Sequence, residues 1–343
     1  MISVALDAMG GDLGLQATVA AAARISLAQR VRVVLVGDAS GIQAALRNHR
    51  HDISFLSIHH AGQAIDMAEK PREAVEAKPD ASILVAARLV AQGQADALVS
   101  AGNTGASILA CARHFQKLPG VPRTALAAVV PTERRRGPHD DPFSLLLDVG
   151  ATLSADADAL VAFAHMGAAY SSRISRQARP TVALLSNGEE AYKGTPAIVE
   201  AHERLRSDHR INFIGNVEGI DLPRGKADVV VTDGFTGNVV LKMIEGISEA
   251  VVDLAKFAYR SKLIWRAGLF MLSSGIRQLK QITDWRQYGG APILGFDHPF
   301  IKAHGRSGDL AIANAIKVAA KTVKSDLCAE IQRSLAPPSG GGT

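Results

Sequence analysis

The chain has 343 residues, 47% of them hydrophobic and 21% charged, with a formal net charge of +5, which suits a globular protein with one large or two medium cores. Its two cysteines, Cys111 and Cys328, are too few and too far apart for a disulfide framework or a metal knuckle. Aromatic residues make up 5% and no nucleic-acid-binding motif accompanies the basic excess, so that excess points to acidic partners, phosphates or an anionic membrane surface rather than to nucleic acid.

The start, MISVALDAMGG, passes from a strand-like run into a turn without a cationic leader, so no secretory signal is expected. No apolar stretch approaches the roughly 20 residues that span a bilayer; a cytoplasmic protein is expected. Short Val-, Ile- and Leu-rich runs follow in order at residues 2–6, 31–36, 53–58, 97–99, 126–130, 145–149, 181–185, 211–214 and 229–231. Helix-length segments separate most of them. Continuous rather than alternating hydrophobicity marks parallel strands covered on both faces, so the fold class is α/β with a mostly parallel sheet, and a site belongs at the carboxyl ends of its strands. Residues 7–12, 100–105, 148–150, 187–189, 216, 218 and 233–238 fall at those ends. The polar segment 133–142, ERRRGPHDDP, reads as an exposed loop near a lobe boundary, and the tail 337–343, PPSGGGT, as disordered.

The chain repeats itself. Residues 95–109, ADALVSAGNTGASIL, are echoed at 227–241, ADVVVTDGFTGNVVL. Each copy is an apolar run, a Gly-x-Thr-Gly turn and a helix-compatible segment. The first turn of a helix leaves backbone N–H groups unpaired, and with the helix dipole these attract phosphate or carboxylate. Gly102 and Gly105, like Gly234 and Gly237, are expected to take positive φ and admit a ligand closely, with Thr104 and Thr236 adding hydroxyls. The plainer alternative is a glycine that only turns a βα corner; two matched copies favour the anion site.

Residues 187–194, NGEEAYKG, set Lys193 beside carboxylates after a strand, where it could hold an anion. Residues 302–307, KAHGRS, gather cationic and hydroxyl donors before a helix starting near Asp309, a third anion-binding pattern with His304 as a candidate acid or base. Asp7, Asp12, Asp148 and Asp233 each occupy a different turn with no ligand spacing among them, so they read as caps and turn formers. Over 254–279, Leu254, Phe257, Ala258, Ile264, Trp265, Leu269, Leu272, Ile276 and Leu279 share one helical face while Lys256, Arg260, Lys262, Arg266, Arg277 and Lys280 gather opposite. A helix, or a pair broken near residues 273–275, suits either a membrane surface or an internal interface.

VALDAMGGD, SAGNTGA, LLDVGA, NGEEAYKG, INFIGNVEG, ADVVVTDGFTGNVVLK, YGGAPILGF and IKAHGRS occur in this order over nearly the whole chain. The set resembles the bacterial phosphate acyltransferases of phospholipid synthesis, the PlsX family. The resemblance implies transfer of a long-chain acyl group from acyl carrier protein to inorganic phosphate, without a metal or other cofactor. It also implies a homodimer held peripherally at the cytoplasmic membrane, with the downstream glycerol-3-phosphate acyltransferase as a further partner. The implied fold is one α/β/α sandwich over 1–336, of one lobe or of two with a cleft, related to isocitrate and isopropylmalate dehydrogenases, with an amphipathic segment at 254–282. By position the family's catalytic lysine falls on Lys193 and its asparagine on Asn238, with His304 in the cleft. The substrate-binding set is Gly102, Asn103, Thr104, Gly105, Asp233, Gly234, Phe235, Thr236, Gly237, Asn187, Glu189 and Asn216; Trp265, Leu269, Leu272 and Ile276 would meet lipid. Glu76, Thr152 and the tripeptide 186–188 depart from the family pattern.

Phosphate is already a dianion at roughly half occupancy near neutral pH, as a second pKa of about 6 to 7 suggests, so the chemistry asks for positioning and oxyanion stabilisation more than for a strong base. One glycine turn is expected to hold the attacking phosphate, Lys193 to offset its charge and Asn238 to donate to the thioester oxygen. The second turn would take the carrier's phosphopantetheine phosphate. Two rivals share the residues: a metal- and NAD-dependent decarboxylating dehydrogenase, for which no G-x-G-x-x-G follows a strand, and a non-catalytic protein that binds acyl phosphate or carrier.

Overall fold

The computed structural model describes residues 1–136, 141–261, 264, 268, 271–272 and 290–336. Strands β1 (Ser3–Asp7), β2 (Arg32–Gly37), β3 (Leu56–His60) and β4 (Ala97–Ser100) alternate with helices α1 (Gly14–Leu27), α2 (Ala39–Leu46), α3 (Pro71–Ala77) and α4 (Ser82–Ala91). Helix α5 (Thr104–His114) leads to a hairpin of β5 (Ala125–Arg136) and β6 (Asp141–Leu147). The alternation resumes with α6 (Ala157–Arg173), β7 (Thr181–Leu185), α7 (Pro196–Ser207), β8 (Asn212–Val217), α8 (Asp221–Arg224), β9 (Val229–Val231) and α9 (Gly234–Ser261). Strands β10 (Ala291–Leu294) and β11 (Phe300–Lys302) and helices α10 (Asp309–Lys324) and α11 (Leu327–Leu335) close the described chain.

All eleven strands join one sheet in the order β3-β2-β1-β4-β11-β10-β5-β6-β9-β7-β8. The five from β3 to β11 pair in parallel, as do β6, β9, β7 and β8. Antiparallel contacts of β10 with β11 and β5, and of β5 with β6, splice the two halves. The two parallel sets therefore run in opposite directions.

The strands are apolar because both faces are covered. Val4, Leu6, Val33, Leu35, Val99 and Ile301 pack with α1, α2 and α10, and Leu145, Leu147, Val182, Leu184, Val229 and Leu294 with α6, α7 and α11. On the other face one continuous core runs from Leu98 and Phe300 through Ile293, Leu126, Ala128 and Leu146 to Val230 and Ala183. Local sequence starts the helices in the usual way: Asp38, Asp156 and Thr195 accept from Gly41, Ala159 and Ile198 nitrogens, with Pro196 opening α7.

Several expectations need correction. Residues 53–55 form a 3-10 turn capped by Asp52, so the strand expected over 53–58 begins only at Leu56. Within the expected loop 133–142, residues 133–136 belong to β5 and 141–142 to β6, with Arg136 paired to Asp141 and Glu133, Arg134 and Arg135 exposed, while 137–140 lie outside the described residues. Strands β10 and β11 were not anticipated, since runs of four and three residues carry too little periodicity. The amphipathic helix starts at Gly234, at the glycine turn itself, and runs unbroken to Ser261. Val240, Leu241 and Ile244 pack on the core, whereas Phe235, Val239, Met243, Ile247, Val251 and Leu254 are exposed along another side. Leu272 is 62% exposed; Trp265, Leu269, Ile276, Leu279 and the tail 337–343 lie outside the described residues. Among the described residues no helix is long and apolar enough to cross a membrane.

Candidate active site

A cavity of about 320 Å³ opens over the continuous core face. Pairing of Lys302 with Ser100, and of β4 with β1, sets the β11–α10 loop beside the turns that follow β1 and β4. Those loops supply Asp12, Thr104, Lys302, His304, Arg306 and Ser307; α9 lays Asn238, Lys242 and Glu245 across the opening. Leu126, Ala128, Val129, Val149, Leu241 and Ala291 form an apolar wall. The cavity is amphiphilic, cationic at one end and greasy along its floor.

Lys302 is 6% exposed. Burial pulls its ammonium down to about 8, while Asp7 and Asp12 pull the other way. The ammonium donates to the Ala303 carbonyl at 2.5 Å. Asp7, also buried, accepts from the Ser82 hydroxyl at 2.6 Å and the Ser100 hydroxyl at 2.7 Å. Burial raises its carboxyl and those two hydrogen bonds oppose the rise. His304 is held below its ordinary value first by burial, then by Lys242; its Nδ1 accepts from the Arg306 nitrogen at 3.2 Å. Lys242 pairs with Glu245 at 2.7 Å. Among the described residues the buried Ser307 hydroxyl has no hydrogen-bond partner.

Across the cleft, Asp148 is fully buried. It accepts backbone N–H bonds from Leu126, Gly150 and Ala151, each at 2.9 Å, and from Thr152. This carboxylate ties β5 and the turn after β6 to the start of α9, where Gly234 donates to the Thr152 carbonyl at 2.8 Å. Asp233 then caps α9, accepting from the Thr236 nitrogen at 2.9 Å and hydroxyl at 2.7 Å. A carboxylate already sits on that helix N-terminus, and the Thr236 hydroxyl is engaged with it.

The reason expected for the glycines is corrected: none of Gly102, Gly105, Gly234 and Gly237 takes positive φ. They are small because backbones meet there. A Cβ on Gly237 would stand 1.9 Å from the Asp148 carbonyl oxygen, on Gly234 2.6 Å from the Thr152 oxygen, and on Gly105 2.6 Å from Pro71. Gly102 faces Gly10, whose own Cβ would lie 2.7 Å from the Gly102 nitrogen. The turns that do need positive φ are at Gly11 and Gly150, one residue group earlier on each side.

Thr104, Asn238 and His304 therefore meet in one cavity, flanked by Gly102, Asn103 and Gly105. Asn103 itself caps α5 through Ala106 and donates to the Met67 and Glu69 carbonyls. Phe235 is 65% exposed. Lys193, Asn187, Glu189 and Asn216 are not among the residues lining the cavity. Asn216 bonds to His202 and the Glu190 carbonyl, Glu189 pairs with Lys226, and the Lys193 ammonium lies 5.7 Å from the Tyr192 ring centre. Asp12, Lys242 and Glu245 join the site without having been expected there, whereas Lys302 and Ser307 come from the segment 302–307 already read as an anion-binding pattern. A longer echo was available as a signal: Ser-Val-Ala-Leu-Asp at 3–7 matches Ser-Leu-Leu-Leu-Asp at 144–148, and both aspartates end up beneath a glycine turn.

Fold and cavity together define an α/β enzyme with a large, mostly parallel sheet. The same fold occurs in a phosphotransacetylase from Streptococcus pyogenes, with a TM-score of 0.62 at 16% identity over 94% of each chain. It recurs in a 4-hydroxythreonine-4-phosphate dehydrogenase from Klebsiella pneumoniae, with a TM-score of 0.51 at 14% identity over 94% of this chain and 99% of that one. In sequence, the profile of the family described as fatty acid synthesis protein matches residues 2–330. The phosphate acyltransferase of Elusimicrobium minutum is 40% identical over 334 residues, 97% of this chain and 96% of its own length. The chain belongs to the PlsX family and is a phosphate acyltransferase.

Proposed function

We propose that the acyl donor is a long-chain thioester of acyl carrier protein and that the acyl phosphate formed feeds phospholipid synthesis. The observation that carries this reading is the amphiphilic cavity, whose cationic end suits phosphate and whose Leu126, Ala128, Val149 and Leu241 wall suits an alkyl chain. A phosphate oxygen attacks the thioester carbon, the carbon–sulfur bond breaks, and the thiolate leaves with a proton. Asn238, at the start of α9, donates its side-chain N–H to the carbonyl oxygen as charge develops. Burial and Lys242 hold His304 below its ordinary value, and with Nδ1 accepting from the Arg306 nitrogen the neutral ring carries its proton on Nε2, a donor that orients a phosphate oxygen; the proton of monoprotonated phosphate passes to the departing sulfur.

Lys193 remains a candidate for offsetting phosphate charge on the strength of its family position, with Asn187, Glu189 and Asn216 supporting its loop. Within the single chain, Lys302 and Lys242 are the lysines that line the cavity. The layered framework is read as the α/β/α arrangement of isocitrate and isopropylmalate dehydrogenases, forming one unit over 1–336. The protein works as a homodimer without a metal or other cofactor, lying on the cytoplasmic membrane, where the exposed apolar side of α9 and the segment beyond it meet lipid. There it passes its product to a glycerol-3-phosphate acyltransferase.

The test is release of free thiol from palmitoyl-acyl carrier protein by purified protein, with phosphate present or omitted and with Mg²⁺ and nicotinamide cofactor each added or withheld. Release that needs phosphate and neither addition is expected. Thiol release independent of phosphate, or none under any condition, would overturn the reading.

A further inference from the structure

The β11–α10 loop carries two features that neither packing nor local capping explains. Ser307 is 2% exposed, and among the described residues its hydroxyl has no hydrogen-bond partner. A buried hydroxyl left unpaired is unfavourable, and this one belongs to the lining of the cavity. Lys302, five residues earlier, is likewise buried and lines the same cavity. An ammonium has three donors, and among the described residues this one reaches a single carbonyl, Ala303. Asp7 and Asp12 influence it through space, but neither forms an ion pair with it among the described residues.

The helix that follows adds to this. Helix α10 starts at a Gly308 N-cap with no side-chain cap, unlike α5, which Asn103 caps, and α9, which Asp233 caps. Asp309, the acidic residue of its first turn, pairs with Arg24 at 3.0 Å on the surface. Of the three helix starts singled out in the sequence, this one alone combines an uncapped N-terminus, a buried ammonium and an unpaired buried hydroxyl.

We infer that Lys302 and Ser307 form the seat of a phosphate group, with the ammonium and hydroxyl donating to its oxygens from the cationic end of the cavity. The inference deepens the proposed acyl transfer and rests on it for the origin of the group. The nucleophile, inorganic phosphate, has this chemistry, and so does the phosphodiester of the carrier's prosthetic arm. Asn238 and the apolar wall line the same cavity, so the acyl thioester has room beside this seat.

The experiment compares wild type with Ser307→Ala and Lys302→Met in phosphate-dependent thiol release, varying phosphate and acyl carrier separately. Binding of inorganic phosphate alone is measured by calorimetry. Ser307→Ala removes an unpaired hydroxyl, so its melting temperature should stay at or above that of wild type. Its Michaelis constant for phosphate should rise about tenfold, as for loss of a hydrogen bond to a charged group, and that of Lys302→Met more. A rise confined to the carrier's constant assigns the seat to the prosthetic-arm phosphodiester. Unchanged constants for both substrates in Ser307→Ala, or in a folded Lys302→Met, overturn the inference. Phosphate binding lost in both variants, with no thiol release even by wild type, would sink the proposed reaction while the seat stands.

Discussion

The two Gly-x-Thr-Gly turns share a sequence and do different work. At the first, Asp7 beneath the turn is held by the side chains of Ser82 and Ser100, and Thr104 faces the cavity next to Lys302. At the second, Asp148 is surrounded by four backbone N–H groups, Thr236 is engaged with Asp233, and the turn's contribution to the cavity is the residue after it, Asn238. A carboxylate at a helix start repels a second anion as surely as the bare N-terminus attracts one. The difference teaches that a repeated motif fixes a repeated backbone packing, while the ligand duty of each copy depends on which side chains already occupy its donors.

The sharpest break in that comparison is Asn238→Ala. Loss of one oxyanion donor lowers turnover about 10²- to 10³-fold; circular dichroism should show the fold unchanged, and near-full activity would remove Asn238 from the chemistry. Next comes Gly237→Ala, whose methyl would collide with the Asp148 backbone oxygen. We expect a loss of about 3 kcal/mol in urea unfolding, against about 1–2 kcal/mol for Gly105→Ala, where the Pro71 ring can yield. Equal losses would mean that the two turns are packed alike after all.

The first turn's partner can be titrated. Free-enzyme kcat/KM for phosphate reports ionisations of the unliganded protein, and the Lys302 ammonium, lowered to about 8, loses its proton as pH rises through that value. Asp7 and Asp12 face it, and Lys242, Glu245, His304 and Arg306 share the cavity. Wild-type kcat/KM should fall about tenfold per pH unit above this point, and the fall should vanish in Lys302→Met; a fall that persists there belongs to another group. The smallest effects distinguish the threonines. Thr104→Val should raise the acyl carrier's KM alone by about three- to tenfold, whereas Thr236→Val should leave both KM values alone and lower stability by about 0.5–1 kcal/mol.

Much of this was legible in order along the chain. Runs such as 97–99 and 229–231 became fully buried strands because their hydrophobicity is continuous, and Asp233 caps a helix as its type and position suggest, while the capping role of Asn103, expected among the substrate-binding residues, was not legible. Asn238 and His304 were marked by their neighbours, and the structure brings them to one cavity with Thr104. The short β10 and β11 were not legible, since three or four residues hold no period, and they splice the two halves of the sheet. Nor was the use of the glycines: a sequence shows that a side chain is missing, but not which neighbouring backbone requires the space.

By itself, then, the sequence determined the α/β class, the strand-turn-helix units and the family, because these depend on local pattern and on residues in fixed order. Which carboxylate answers backbone and which answers hydroxyls, which lysines line the cavity, and why the Ser307 hydroxyl is left facing it were decided by tertiary structure. Burial and desolvation, on which those properties rest, arise only when segments far apart in the chain exclude water from one another.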